Sequence, residues 1–364
     1  MRFSDLHIRS FRNLSNAELS LSPRINVLIG RNGQGKTSVL EALYVLAGFR
    51  SFRGARNREL IQHGQQAAAV QADVVADDIE RRVKVTIEPT SKRYLIDGKE
   101  PGSLADWIGR LVVVTFCPDD LFLVKGEPEL RRRWLDRVIF LLQPSHLQHV
   151  MSYQKALRAR NALLKDGMYG RDLMLLDSFD ETLARLGARV VAERRAWVAQ
   201  LAPLIDSEFA ALTRGERQCQ VSLSTAFEGT SEAEYLQQLV SLRSEDARRR
   251  KTSFGAHQDD IDLRQNGEGA RKFASQGEQR ALTLALKLAE VTLLENERKV
   301  APVLLLDDVA GELDRERNVL LYRQLERAEG QVVIAGTDLA AGVLERLHPG
   351  AVFNLENGQI SKQN

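Results

Sequence analysis

The sequence predicts an α/β fold: a lobe built on a mixed or parallel sheet, interrupted by an inserted helical lobe, with no long coiled coil. Three observations carry this expectation. The apolar run Ile25–Ile29 enters a glycine-rich turn and then the apolar stretch Thr37–Leu46, the order of strand, loop and helix. Near the other end, 303–307, 315–328 and 331–335 read as strand, helix and strand, with continuous apolar runs that suit a buried parallel sheet. Between them, from about Glu127 to about Ala247, the chain is rich in Leu, Ala and Arg, has few turn signals, and spaces its apolar residues as helices do.

Taken in order, residues 2–11 alternate loosely through Phe3, Leu6, Ile8 and Phe11 and read as a first strand. Asn13–Pro23 carries Leu14, Leu19 and Leu21, a second strand, and 25–29 is a third. Val39, Leu40, Leu43, Tyr44 and Leu46 cover most of one side of the helix that follows. Strands are expected at 68–75, 81–88 and 93–96, with Asp97-Gly98 as a hairpin turn. Leu111–Phe116 is another apolar strand, closed by Pro118. Helical spacing then runs through 128–142, 145–165, 172–200 and 232–251, and again through 279–297. The expected division is 1–120 with 300–364 in one lobe, and 121–299 in a mainly helical second lobe. There is no internal repeat, and no heptad run long enough for an extended coiled coil.

Composition bounds the classes. A chain of 364 residues is long enough for two lobes with ample core. Its 43% apolar and 27% charged residues are ordinary for a soluble globular protein. No apolar run approaches the ~18 residues that span a bilayer, so no membrane partner is expected. The first residues, Met1-Arg2-Phe3-Ser4-Asp5, lack the basic-then-apolar order of a signal peptide. Cys117 and Cys219 have no metal-ligand spacing and fit a reducing cytosol. The net charge of +2 neither demands nor excludes nucleic acid. Arginine outnumbers lysine 39 to 12, which a codon bias explains without 39 functional arginines.

The turn Gly30-Arg31-Asn32-Gly33-Gln34-Gly35-Lys36-Thr37 fits G-x-x-x-x-G-K-[ST]. Backbone N–H groups of such a turn, at the positive end of a helix, wrap phosphate oxygens. Lys36 adds a point charge between the β- and γ-phosphates, and Thr37 a hydroxyl for Mg²⁺. Both ATP and Mg²⁺ are therefore expected. Val303–Asp308 is a strand ending in two carboxylates: Asp307 is the candidate Mg²⁺ residue and Asp308 the candidate general base. Ser275-Gln276-Gly277-Glu278-Gln279-Arg280 opens a long amphipathic helix 32 residues before Asp307. Alone this is an ordinary helix cap. Coming after a phosphate loop and before an acidic strand, it has the order of the ABC-type ATPases, whose signature S-G-G-Q it resembles. In that class the element caps the γ-phosphate of the other subunit's ATP, so the resemblance implies a head-to-tail dimer around two nucleotides, with Ser275 and Gly277 as contacts. Asp314, in Glu312-Leu313-Asp314, matches the class's D-loop. Where the class carries a switch His, this chain has Gly336-Thr337-Asp338, which makes Thr337 the substitute. Many relatives have Glu where Asp308 stands; the shorter side chain leads to an expectation of slow turnover.

Within the class, Phe11-Arg12-Asn13-Leu14, the loop 30–37 and Leu40-Glu41-Ala42 resemble the opening of the RecF, Rad50 and SMC group. Arg50-Ser51-Phe52-Arg53, Cys117-Pro118-Asp119-Asp120-Leu121, Gly126-Glu127-Pro128 with Arg131-Arg132-Arg133 and Asp136, and Leu305-Leu306-Asp307-Asp308 resemble the RecF branch in particular, nearly end to end. The resemblance implies a cytoplasmic, nucleoid-associated DNA repair and replication protein tied to recombination and the SOS response. Such proteins bind double-stranded and gapped DNA as ATP-dependent homodimers, and work with RecR and RecO to help load RecA. Rad50 and SMC heads separate the same motifs by several hundred residues of coiled coil, whereas about 120 residues here suit only a short lobe.

The DNA surface is less legible. Arg50, Arg53, Arg56 and Arg58 form one basic cluster; Arg131–Arg133 and Arg248–Lys251 form others. Such clusters grip phosphates, but are more often solvated helix faces or ion-pair partners. Aromatics at 6% favour duplex-backbone binding over base stacking. Two competing readings need other features. A transporter's nucleotide-binding subunit needs a lobe that docks on membrane subunits and a switch His. A P-loop kinase has no use for Ser275–Glu278.

Overall fold

The computed structural model describes residues 1–48, 50–76, 79–102, 111–166, 171–309, 315–337 and 347–363. The chain forms two compact units: Met1–Leu121 with Gln276–Asn364, and Phe122–Ser275.

The first unit holds two sheets. Five antiparallel strands run in the order β2-β1-β4-β5-β6, from β1 (Arg2–Phe11), β2 (Leu14–Ser20), β4 (Ala68–Ala76), β5 (Ile79–Ile87) and β6 (Lys92–Ile96). Asp97 and Gly98 both take positive φ, 50° and 78°, as the tight turn after β6 requires. The second sheet runs β14-β13-β3-β12-β11-β7, from β3 (Ile25–Ile29), β7 (Val113–Phe116), β11 (Val303–Asp307), β12 (Val332–Gly336), β13 (Ala351–Glu356) and β14 (Gln359–Lys362). β13, β3, β12, β11 and β7 are parallel and only β14 is antiparallel. Helix α1 (Lys36–Leu46) packs against strands of both sheets. It is buried almost all round rather than on one side, which is why Val39 through Leu46 are apolar nearly without interruption save Glu41.

Expectation and structure part at several places. β13 and β14 lie outside the expected strands, although Ala351–Leu355 alternates in burial and Asn357-Gly358 is a hairpin turn with φ of 50° and 75°. The helix Gln276–Arg298 belongs to the first unit, not to a helical lobe reaching residue 299. Its buried residues, among them Ala281, Leu284 and Ala285, pack it with β7 and the turn Pro118–Leu121. And the mainly helical inserted unit also holds a small sheet for which the expectations have no strands.

That second unit has helices α2 (Pro128–Leu142), α3 (Ser145–Asp166), α4 (Arg171–Leu212), α5 (Glu232–Ser241) and α6 (Arg243–Arg249), and a small antiparallel sheet in which β9 (Asp260–Gln265) lies between β8 (Cys219–Ser224) and β10 (Glu268–Gly269). β8 alternates in burial with the period of two that marks a strand. The single helix expected over 232–251 is two, because the chain re-caps at Leu242 and ends at Arg250, whose φ of 55° closes it.

Buried ion pairs tie these helices. His146, fully buried, places one ring nitrogen 2.6 Å from Glu193 Oε2 and the other 3.0 Å from Asp136 Oδ1. Arg194 spans Asp136 and Asp259 at 2.8 Å each. Burial disfavours the His146 imidazolium, but its hydrogen bonds to Asp136 and Glu193 overcome that and raise its pKa above 6.5. Burial likewise pushes Glu193 up, yet hydrogen bonds from His146, Arg189 and His149 hold it down at about 2. The signs follow. The His146 contribution to stability is fully present below the unfolded value of 6.5 and is lost as pH rises through the higher folded value. The Glu193 contribution is present above the unfolded value of 4.5 and is lost as pH falls towards 2. Thermal melts across pH are expected to show greatest stability between those unfolded values, and His146→Gln to flatten the decline on the alkaline side. An unchanged alkaline limb in that variant would count against the assignment.

Candidate nucleotide site

The candidate residues of the phosphate loop and acidic strand meet inside the first unit. The parallel register sets them side by side: Ile29 lies opposite Gly336, and Asp307 opposite Ala335. The carboxyl ends of β3, β12 and β11 therefore share one edge of the sheet, where open parallel sheets bind ligands. Gly30–Gly35 follows β3, Thr337 follows β12, and Asp307 with Asp308 ends β11.

The loop is shaped by contacts on every side. Gly33 has φ +80° and Gly35 φ +107°, a region that glycine enters without steric cost. Lys36 Nζ donates to the carbonyls of Gly30 at 2.6 Å and Arg31 at 3.0 Å. Lys36 is 6% exposed. Burial lowers its pKa, against the pull of Asp308 and Asp307. Asn13 Nδ2 donates to Gly33 O at 2.9 Å, and Asn13 Oδ1 accepts from Ser38 Oγ at 2.7 Å. The Gln34 side-chain carbonyl accepts from the Asn357 backbone N–H, which ties the loop to the unanticipated β13–β14 hairpin.

Across the site, Thr37 Oγ1 donates to Asp307 Oδ1 at 2.8 Å. Burial raises the Asp307 pKa; Thr37, Arg53 and Lys36 oppose this and Asp308 adds to it. Asp308 sits at φ 49°, a conformation that Asp tolerates better than most residues, and its N–H donates to Ala335 O at 3.0 Å. The hydroxyl–carboxylate pair is a set of hard oxygens of the kind Mg²⁺ prefers. Among the described residues no three His, Cys, Asp or Glu side chains gather into an all-protein metal site, so Mg²⁺ here would lean on Thr37, Asp307 and the phosphates themselves.

The sequence motifs around the loop have a structural cause. Glu41, fully buried on α1, takes a bidentate pair from Arg12 at 2.7 and 2.8 Å and a hydrogen bond from Ser51 Oγ. Arg12 also donates to Glu59 O at 2.9 Å. One buried carboxylate thus holds the β1–β2 turn and the segment that carries Arg50, Arg53 and Arg56. Those three arginines are exposed. Arg53 acts electrostatically on Asp307, Arg50 on Lys92, and the Arg56 N–H donates to Glu59 Oε2 at 2.5 Å.

The remaining candidates fare differently. Ser275 is exposed, the last residue of the second unit, and Gly277 lies in the first turn of α7 (Gln276–Arg298), in the first unit. Thr337 is exposed at the end of β12. Asp314 lies outside the described residues. Arg131 is no free surface cation: it is 4% exposed, pairs bidentately with Asp260 at 2.6 and 2.8 Å, and donates to the carbonyls of Leu123 and Gly126.

A family model described as the RecF/RecN/SMC N-terminal domain matches residues 2–346. The DNA replication and repair protein RecF of Myxococcus xanthus (strain DK1622) is 41% identical over 93% of this chain and 91% of its own length. That of Geobacter sp. (strain M21) is 37% identical over 99% of this chain and 100% of its own. A solved structure of the recombination mediator protein RecF with ATP, in the RecFOR pathway, aligns with a TM-score of 0.89 at 28% identity, covering 100% of this chain and 97% of that one. The Smc head domain of Pyrococcus furiosus, bound to the C-terminal domain of ScpA, aligns with a TM-score of 0.57 at 15% identity over 100% of this chain and 96% of that one, which speaks to the fold alone. With an ABC-type ATPase head fold, this loop and these matches, the chain belongs to the RecF family of DNA replication and repair proteins.

Proposed function

We propose that this chain is an ATP-switched DNA-binding protein of recombinational repair and replication. It dimerises head to tail on double-stranded or gapped DNA when ATP is bound, and releases as ATP is hydrolysed. The observation that carries the reading is the Thr37–Asp307 hydrogen bond, which joins phosphate loop and acidic strand across 270 residues of sequence within one unit. The names of its relatives, and the ATP held by a solved one, support it.

In this reading Gly30–Lys36 wraps the phosphates, with Lys36 on the β- and γ-groups. Thr37 and Asp307 hold Mg²⁺, which when bound neutralises charge on the phosphate oxygens. Asp308 orients and deprotonates the attacking water. Ser275 and Gly277 of one subunit cap the γ-phosphate held by the other, Asp314 contacts the partner, and Thr337 senses the γ-phosphate. Each lone site is then incomplete, ATP joins two chains, and hydrolysis loosens them. Slow turnover, expected from the short Asp308 side chain, makes the nucleotide a timer for residence on DNA. Arg50, Arg53 and Arg56 stand as DNA phosphate contacts, and Arg53 also acts electrostatically on Asp307. RecR and RecO are the partners, RecA the indirect beneficiary, and the nucleoid the place of work. The family match displaces the transporter reading.

Measuring ATP hydrolysis and light scattering, with and without duplex DNA, tests this for the wild type and Lys36→Arg. The wild type is expected to self-associate with ATP and to hydrolyse it slowly, faster with DNA. Lys36→Arg should lose at least about ten-fold in turnover, as expected when charge on a transferring phosphoryl group is mispositioned. A monomer that ignores both ATP and DNA would overturn the reading.

A further inference from the structure

The second unit turns most of its guanidinium groups inward or against its own carboxylates. Arg160 lies between Asp180 and Asp246, Arg194 between Asp136 and Asp259, Arg131 on Asp260, and Arg243 on Asp177 and Asp180. Lys155 on α3 and Arg185 on α4 break this pattern. Both are exposed, both line one groove of about 540 Å³, and neither meets a carboxylate among the described residues. No Asp or Glu lines that groove. The two helices present matched stripes to it. On α3 these are Gln148, Ser152 and Lys155; on α4, Ser178, Thr182 and Arg185. Each stripe follows the i, i+4, i+7 spacing of one helix face and ends in a cation after hydrogen-bonding side chains. Arg158, exposed one turn beyond Lys155, extends the positive side.

Hydroxyls, an amide and unpaired cations without a carboxylate among them are complementary to phosphate oxygens. The shape selects among anions. Each stripe runs about 10 Å by helix rise, the length of about three base-pair steps. That suits a polyanion better than a single phosphate. Of the two rings in the lining, Phe179 is half-buried and His149 is held by Glu193 at 3.0 Å, so the groove lacks the stacking platform that single strands use. We propose that this groove grips the phosphate backbone of double-stranded DNA, with Lys155 and Arg185 as the charged contacts. The proposal rests on the DNA-binding reading above and assigns it residues.

The test is duplex binding by fluorescence anisotropy over a salt series, with ATP present, for the wild type and the double variant Lys155→Gln/Arg185→Gln. Each lost phosphate contact removes about 0.9 from the slope of log K against log salt, so the double variant should be shallower by about 1.8 and bind about 30-fold more weakly at 0.15 M salt. ATP binding should be unchanged, and the charge-preserving swap Lys155→Arg/Arg185→Lys should keep the wild-type slope. If the wild type binds DNA and the double variant binds it with the same slope, the groove is not a DNA site while the DNA reading stands. If the double variant keeps that slope but loses binding to a polyglutamate peptide that the wild type binds, the groove serves an acidic protein instead. If the wild type binds no duplex at all, the reading and the groove assignment fall together.

Discussion

Arg160→Met is expected to destabilise the protein by about 3–5 kcal/mol in chemical denaturation, because it strands buried carboxylates. Arg160 is fully buried, with Nε 2.6 Å from Asp180 Oδ1 and Nη1 2.7 Å from Asp246 Oδ2 and 2.9 Å from Thr252 Oγ1. Both carboxylates are themselves fully buried. Methionine fills much of the volume, so the loss reports charge rather than a cavity. Asp180 keeps Arg243, while Asp246 keeps, among the described residues, only neutral donors such as Ser253. The double variant Arg160→Met/Asp246→Asn should therefore recover part of the loss, a coupling that a mutant cycle measures. If the double variant is no more stable than Arg160→Met alone, uncompensated charge at Asp246 is not the cause. Arg160 joins α3 to α4, the helices whose outer faces carry Lys155 and Arg185, so the same variant should also weaken duplex binding by loosening the groove.

The arginines show where sequence reading succeeds and where it stops. A composition rich in Arg and a run such as Arg131-Arg132-Arg133 look alike whether they face DNA or the interior. Arg131 is buried because Asp260 lies beside it in space, 129 residues away in sequence, and no local pattern announces that. The candidate nucleotide site is legible because each of its pieces is local in sequence, and the structure brings phosphate loop and acidic strand together. A glycine turn between an apolar strand and a helix, and a strand ending in two acids, identify themselves by spacing, and their meeting follows from parallel pairing on either side of β12. Glu41 stands between these cases. A lone carboxylate in an apolar helix is an anomaly in the sequence, but that Arg12 and Ser51 answer it required the fold. The placement of Gln276–Arg298 in the first unit escapes sequence reading for a related reason. Helical periodicity reports that a face is apolar, not which surface covers it. The hairpin β13–β14 is different again: its alternation and its Asn357-Gly358 turn were readable, and its importance lay in what it touches.

That contact leads to the second large effect. Gly30→Ala is expected to weaken ATP binding far more than Gly33→Ala, although both glycines belong to the same loop. A Cβ at Gly30 would fall 2.4 Å from the Leu355 carbonyl oxygen and 3.3 Å from its carbon. Those are backbone atoms of β13, which pairs with β3 on one side and β14 on the other, so neither loop nor strand can yield without breaking ladder hydrogen bonds. Overpacking of this kind costs about 1–3 kcal/mol where side chains can adjust, and the rigid partner here puts Gly30→Ala at or above the upper end, about 100-fold in affinity if the loop absorbs it. A Cβ at Gly33 would meet nothing within 4 Å, so its only cost is the left-handed conformation at φ +80°. That is about 1–2 kcal/mol, roughly a ten-fold loss. Titration with a fluorescent ATP analogue, alongside thermal melts, separates the two: Gly30→Ala should lower both affinity and melting temperature, Gly33→Ala mainly affinity. Equal losses in the two variants would mean that loop conformation alone sets nucleotide affinity, and that the packing of β13 against Gly30 has no part in shaping the site.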